Sequence, residues 1–292
     1  MSHPIETLAV LGAGAMGRGI AHVAAVAGYT TRLFDPQESA RTGAHAAIAR
    51  NLNKGVELGK VAAEAAAAAL GRLSLHAALE SAVEGSDFVI EAVPEKMALK
   101  IETFARAAAV ATPAAIFATN TSALSITEMA AASGRPQLFI GMHFFNPVHI
   151  MKLIEIVKGL ETSEDTVQAT RKVAARMGKE VVLVNESPGF VTSRINVLIG
   201  NEAFRMLQEG VASAEDIDKA LKLGLNHPMG PFEMADLVGL DVRLSILEFL
   251  HRTLGETYRP NNLHVQLVRA GRLGRKTGHG VYRYDERGQK IG

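Results

Sequence analysis

The sequence contains no cysteine. That excludes disulfide staples, thiolate zinc sites, cysteine-ligated iron–sulfur clusters and a cysteine nucleophile. It fits a reducing compartment, and the expected location is cytoplasmic. Charge of one sign is also missing: 31 Lys and Arg stand against 30 Asp and Glu, for a net charge of +1. No global field recruits nucleic acid or an anionic membrane, so neither is expected as a partner. No apolar run reaches the ~18 residues of a membrane span. The opening MSHPIETLAVLGAG runs almost directly into a strand and lacks the charged and apolar regions of a secretory leader, so no signal peptide is expected. What is present is ordinary for a globular protein: 292 residues, 48% apolar and 21% charged, enough for two domains.

Residues 7–11, TLAVL, read as a buried strand. GAGAMGRG follows, then the small-residue helix IAHVAAVAG ending at Gly28, then the strand TTRLF ending at Asp35. This is a βαβ unit within ~30 residues. Residues 37–70 read as two helices with a break near Gly55–Gly59. Strands are expected at 87–93, 115–121, 138–144, 151–157 and 180–184, with helices at 96–110 and 125–133 between them. Alternation of this kind implies a mostly parallel sheet with both faces covered. After Pro188–Gly189 the pattern becomes helical, with a long helix over 190–209, a stop at Gly210 and a new start capped by Ser213. No strand pattern returns until VYRY near the end. The expected fold is α/β: a Rossmann-type doubly wound domain over residues 1–187, with a helical-hairpin insertion, and an all-α C-terminal domain over 188–292.

Gly12, Gly14 and Gly17 form G-x-G-x-x-G between a strand and a helix. The first glycine allows the tight turn, the second the approach of a pyrophosphate, the third close packing of helix on strand. The helix start adds free N–H groups and partial positive charge. Gly12, Gly14, Ala15, Met16 and Gly17 are therefore the expected cofactor loop. Asp35, about 20 residues on, suits the ribose hydroxyls of NAD and repels the 2′-phosphate of NADP. Arg32 and Arg41 lie close to it in sequence and oppose that preference.

A second constellation comprises NTSALS (120–125), HFFNPVHIMKLIEI (143–156), ESPGF (186–190) and NHPMGP (226–231), followed by LGRKTGHGVY (273–282). With LGAGAMGRGIA, these motifs span nearly the whole chain in order. The sequence thereby resembles the 3-hydroxyacyl-CoA dehydrogenase family, above all its short bacterial 3-hydroxybutyryl-CoA members. The resemblance implies NAD-dependent oxidation of a 3-hydroxyacyl-CoA, with an acyl-CoA as substrate. It implies that His143 is the general base, that Glu155 holds the other ring nitrogen, and that Ser122 contacts the reacting oxygen and the cofactor. A neutral imidazole suits this task, since it can take the hydroxyl proton as hydride leaves the same carbon. Asn146, Glu95, Lys100 and Lys276 resemble cofactor contacts, and Lys54 resembles a lysine that meets CoA phosphate. Taken alone, Ser122 also reads as the cap of the helix after it. His149 reads as a loop residue, and His227 as part of a turn.

The chain departs from the family pattern twice. Where the family carries a serine on the hairpin, Ala47 stands here; where it carries an asparagine before arginine, VTSR places Ser193. The resemblance implies that Ser193 belongs to the substrate-side pocket, and Asn196, one turn beyond, offers a replacement amide. Two other functions fit the same chassis: a hydroxyacid or sugar-acid dehydrogenase, and a non-catalytic crystallin-like relative. Retention of His143, Glu155 and Ser122 argues against the latter. The C-terminal helices hold more apolar surface than so small a domain buries alone, so a homodimer through that domain is expected.

Overall fold

Thr7–Leu11 form β1, and Leu8, Ala9, Val10 and Leu11 are all fully buried. A strand covered on both faces belongs in the middle of a sheet. In the computed structural model, which describes residues 4–291, β1 pairs in parallel with β2 (Thr30–Phe34) on one side and β4 (Phe88–Glu91) on the other. The sheet has eight strands in the order β3-β2-β1-β4-β5-β6-β7-β8. The others are β3 (Leu73–His76), β5 (Ile116–Thr119), β6 (Phe139–Phe144), β7 (Leu153–Lys158) and β8 (Glu180–Asn185). Every neighbouring pair is parallel except β6–β7. The link over residues 145–152 is too short for a crossover helix, so β7 must run back beside β6.

Among the described residues, seven α-helices accompany the sheet: α1 (Ala15–Val26), α2 (Glu38–Glu57), α3 (Ala63–Gly71), α4 (Leu79–Val83), α5 (Met97–Val110), α6 (Ile126–Ala132) and α7 (Glu164–Arg176). The hairpin α2–α3 turns at Gly59, whose φ is +64°. The Ser125 side chain accepts from the Glu128 N–H and starts α6; Ser163 does the same for α7 through Thr166. Strand β3 and the short α4 have no counterpart in the sequence reading. LSLH is one partly covered edge strand of four residues, too short for a period to declare itself.

The chain's contacts part between Glu186 and Ser187. Beyond that point come α8 (Thr192–Gln208), α9 (Ala214–Gly224), α10 (Pro231–Val238), α11 (Leu240–Leu254) and α12 (Asn262–Arg269). A small hairpin of β9 (Arg283–Tyr284) and β10 (Lys290–Ile291) ends the described chain. Ser213 caps α9 through the Asp216 N–H, and Gly210 takes a φ of +71° after α8. Phe204 and Phe232 meet edge to face at 5.1 Å in this core. Two buried carboxylates tie the C-terminal segment to it. Asp236 accepts from the Val281 and Tyr282 N–H groups and the Tyr284 hydroxyl, each at 2.9 Å. Asp218 accepts from Phe232 N–H at 2.8 Å and from the Tyr282 hydroxyl at 2.9 Å. Burial would be costly for these carboxylates without such donors.

His264 lies in the same core, stacked on Phe204 at 4.6 Å, with Nε2 bonded to the Leu240 carbonyl. Burial, above all, holds its pKa down to about 4. The unfolded chain takes this proton near its ordinary value of 6.5, while the native state resists until about 4. The unfolded state therefore binds more protons in that window, and stability falls as pH falls through it. The loss is up to about 3 kcal/mol and is complete below the lower value. His264→Phe should leave a visibly smaller difference between urea midpoints at neutral pH and near the lower end of that window. Equal acid losses in variant and wild type would refute this role of His264.

Candidate active site

The glycine loop follows β1. Gly12 has a φ of +107°, and a Cβ there would stand 2.7 Å from the Ala92 carbonyl oxygen. A Cβ on Gly17 would stand 1.7 Å from the Gly12 oxygen, so helix and loop touch backbone to backbone. Gly14 is different: a Cβ there meets nothing within 4 Å. It is the N-cap of α1, with no side-chain capping bond, so the first N–H groups of the helix face outward with Ala15 and Met16 at their start. An open backbone cradle at a helix start is what a dinucleotide pyrophosphate requires.

Asp35, just beyond β2, lies beside this loop. Its carboxylate accepts from Ala13 N–H at 2.9 Å and Gln37 N–H at 3.0 Å. Arg41 donates to the Asp35 carbonyl at 2.6 Å, whereas Arg32 is turned away to the Glu84 carbonyl. Of the two arginines flagged by the sequence, only Arg41 bonds to Asp35. Asp35→Ala should weaken NAD binding by about tenfold or more, as loss of charged hydrogen bonds does, and narrow the preference over NADP. Titration of both cofactors decides it; a wild type that already favours NADP contradicts the reading.

The second part of the site is set by strand register. In the antiparallel β6–β7 pair, His143 lies directly opposite Glu155, so their side chains share one face. His143 Nδ1 is 2.8 Å from Glu155 Oε2. His143 is 7% exposed and Glu155 fully buried. A carboxylate only accepts, so Nδ1 carries a proton and donates it to Glu155, leaving Nε2 as the outer ring nitrogen. The Phe145 ring packs 4.7 Å from the imidazole. Asn120, at the end of β5, accepts from Phe144 N–H at 2.9 Å and ties β5 to β6 beside this pair. Asn146 is exposed and precedes a cis proline, Pro147.

Ser122 follows β5. Its hydroxyl has no hydrogen-bond partner among the described residues, and it is not a helix cap: Ser125 fills that place. Its N–H is held instead, by Glu95 Oε1 at 2.9 Å; the same oxygen takes the Thr121 hydroxyl at 2.5 Å. Lys100 lies behind this carboxylate. It is 1% exposed, with Nζ 2.7 Å from Glu91 and 3.2 Å from Glu95. Two carboxylates hold its ammonium inward, and the pair with Glu95 ties that side chain to the buried end of β4. Burial pushes the Glu91 carboxyl up, opposed by Lys100, Thr119 and the Val93 N–H. The Glu91–Lys100–Glu95–Ser122 chain escaped sequence reasoning. Nothing in IEAVPEKMALK tells an inward lysine from a solvated one.

Lys54 is exposed and pairs with Glu57 at 3.0 Å. It lines a cleft of about 790 Å³ bounded by α1, the hairpin and the loop after β6. Lys60, Lys152, Arg176 and Lys179 stand on the same cleft, so its cations outnumber the one lysine seen in the sequence. His149 also lines it and stacks on His22 at 5.4 Å. Burial, then His149 and Lys179, lower the His22 pKa to about 4. Ala47 is buried and offers no hydroxyl there. Lys276 and Ser193 belong to the other unit. Lys276 is held by both oxygens of Asp241, at 2.6 and 2.7 Å. A cofactor contact there would first have to break that pair. Ser193 lies in the first turn of α8, half-buried, without a side-chain hydrogen bond among the described residues.

Comparison with known proteins identifies the family. The family pattern described as "3-hydroxyacyl-CoA dehydrogenase, NAD binding domain" matches residues 7–187, and its C-terminal domain matches residues 189–284. The chain is 46% identical over 284 residues to a probable 3-hydroxybutyryl-CoA dehydrogenase of Bacillus subtilis, covering 97% of this chain and 99% of that one. It is 44% identical to a 3-hydroxybutyryl-CoA dehydrogenase of Bradyrhizobium diazoefficiens, covering 97% of each. The crystal structure of (S)-3-hydroxybutyryl-CoA dehydrogenase from Ralstonia eutropha superposes with a TM-score of 0.94 at 41% identity, over 97% of this chain and 100% of that one. With both domain patterns matched in order and the NAD cradle formed, the chain belongs to the 3-hydroxyacyl-CoA dehydrogenase family, whose members are NAD-dependent oxidoreductases.

Proposed function

We propose that this protein oxidises the 3-hydroxyl of a short-chain 3-hydroxyacyl-CoA, 3-hydroxybutyryl-CoA foremost, to the 3-oxoacyl-CoA. The observation that carries the reading is the buried His143–Glu155 bond at 2.8 Å. NAD, when bound, accepts hydride from C3 of the substrate. His143 takes the hydroxyl proton at Nε2. Glu155 orients the ring and stabilises the imidazolium as it forms, as a carboxylate does behind a triad histidine. The Ser122 hydroxyl donates to the same substrate oxygen, with Glu95 and Lys100 fixing the backbone behind it. The glycine loop, Asp35 and Asn146 hold the cofactor. Lys54 and its neighbouring cations hold CoA phosphate at the basic cleft.

The unit from Ser187 onward, in this reading, contributes substrate contacts and the homodimer interface. Support for the interface is the exposed apolar group Leu237, Val238 and Val242 where α10 meets α11. A monomeric mass by light scattering at micromolar concentration contradicts it.

The reaction is tested with 3-hydroxybutyryl-CoA deuterated at C3. The deuterium should appear in the reduced cofactor and the product should be acetoacetyl-CoA. Turnover of free 3-hydroxybutyrate in place of the thioester would favour the hydroxyacid-dehydrogenase alternative.

A further inference from the structure

Glu91 is the last residue of β4, and register places it beside Thr119, the last residue of β5. Both strands are covered on both faces, so the carboxylate is fully buried. Its oxygens accept from Lys100 Nζ and the Val93 N–H, each at 2.7 Å, and from the Thr119 hydroxyl at 2.6 Å. An ammonium, an N–H and a hydroxyl are the donors an ionised carboxylate needs when it leaves water. Lys100, in the first turn of α5, turns its N–H groups to Glu91, to Glu95 and to the Val93 carbonyl at 3.4 Å. Among the described residues no other cation pairs with either glutamate. Two carboxylates around one ammonium leave the cluster with a negative charge in excess.

That excess lies between two parts of the cofactor site. On one side Ala92, the residue after Glu91, backs the glycine loop: its carbonyl oxygen stands 2.7 Å from where a Cβ on Gly12 would be. On the other side Glu95 holds the Ser122 N–H at 2.9 Å, behind the hydroxyl assigned to the reacting oxygen. Salt screens a buried charge much less than a surface one, so the field of the cluster reaches the site. The oxidised and reduced forms of the dinucleotide have nearly the same shape. They differ by the positive charge on the nicotinamide ring of NAD⁺, which NADH lacks. A fixed negative charge is the feature of a protein that tells such a pair apart.

We propose that the Glu91–Lys100–Glu95 cluster sets the preference between the oxidised and the reduced cofactor, with buried Glu91 as the specificity-determining charge. Its excess negative charge strengthens the hold on NAD⁺ relative to NADH. Hydride arriving from C3 of the substrate cancels the positive charge of the ring, so the same cluster loosens the reduced cofactor and favours its release. The inference rests on the reading above, which puts the nicotinamide beside Ser122.

The test titrates NAD⁺ and NADH separately into the full chain by calorimetry. Glu91→Gln keeps the size of the side chain and removes its charge. The ratio of the NAD⁺ Kd to the NADH Kd should rise by about tenfold over wild type, the scale of one buried charge acting across roughly 10 Å of protein. Thr119→Val removes a hydrogen bond from Glu91 and no charge, so it lowers stability and leaves the ratio as in wild type. Should Glu91→Gln not fold, Glu95→Gln removes the same charge from an exposed side chain and carries the decision. Equal weakening of both cofactor forms in the glutamine variant overturns the proposal. So does a Thr119→Val ratio that moves as far as that of Glu91→Gln, since local shape rather than charge would then govern the preference. No acyl-CoA enters the titration. A protein that shows the shifted ratio yet never oxidises NADH with acetoacetyl-CoA refutes the dehydrogenase reading and leaves this assignment standing; one that does so with an unshifted ratio overturns this assignment alone.

Discussion

His143→Gln lowers kcat by about 10²–10⁴-fold and leaves NAD affinity nearly unchanged. The magnitude is that of a positioned general base. Glutamine still reaches toward Glu155 but offers no titrating nitrogen, so the site keeps its shape and loses its proton acceptor. The residue is buried against Phe145 and held at 2.8 Å by Glu155, so the variant removes chemistry from a fixed frame rather than a mobile loop. Steady-state rates on acetoacetyl-CoA, with calorimetric titration of NAD as control, make the measurement. A variant with wild-type turnover takes His143 out of the mechanism. One that loses NAD binding equally shows that the substitution has disturbed the cofactor site as well.

The second large effect belongs to the glycine loop. Gly17→Ala places a methyl group 1.7 Å from the Gly12 oxygen, and Gly12 cannot retreat because Ala92 stands behind it. Either the turn opens or α1 moves away from β1. Overpacking of this kind costs about 1–3 kcal/mol of stability. The cradle for the pyrophosphate deforms with it, and NAD affinity should drop by about 100-fold. Gly14→Ala separates the two effects. Its methyl group meets no protein atom within 4 Å, so stability should stay within about 0.5 kcal/mol of wild type. The methyl group intrudes only where the cofactor approaches, so NAD affinity alone falls. Equal losses of stability in both variants contradict this account of the loop.

Much of this was legible in the sequence because it lies where local pattern and chemistry coincide. The βαβ unit announces itself through buried runs, glycine spacing and an acidic residue at the next strand end. HFFNP and KLIEI carried His143 and Glu155. That the two share a face follows only once the 145–152 link proves too short for a crossover and β7 turns antiparallel. Strand β3 was missed because four half-covered edge residues show no period. The burial of Lys100 was not legible because a lysine's burial depends on what packs over it: here Glu91 and Glu95 take its ammonium. Asn196 was visible as an amide near Ser193. Its hydrogen-bond partner Arg243 was not, since it lies 47 residues away along the chain, on α11, and fills the space at Gly200. The basic cleft behind Lys54 gathers cations from three separate segments, residues 54–60, 152 and 176–179, which sequence order scatters.

The account's central claim is NAD-dependent chemistry at the 3-position of an acyl thioester, and consumption of NADH with acetoacetyl-CoA tests it most directly. Wild-type protein should oxidise one NADH per acetoacetyl-CoA, yield 3-hydroxybutyryl-CoA, and leave free acetoacetate untouched. Reduction of acetoacetate with acetoacetyl-CoA inert, or no NADH consumed with either, would contradict it.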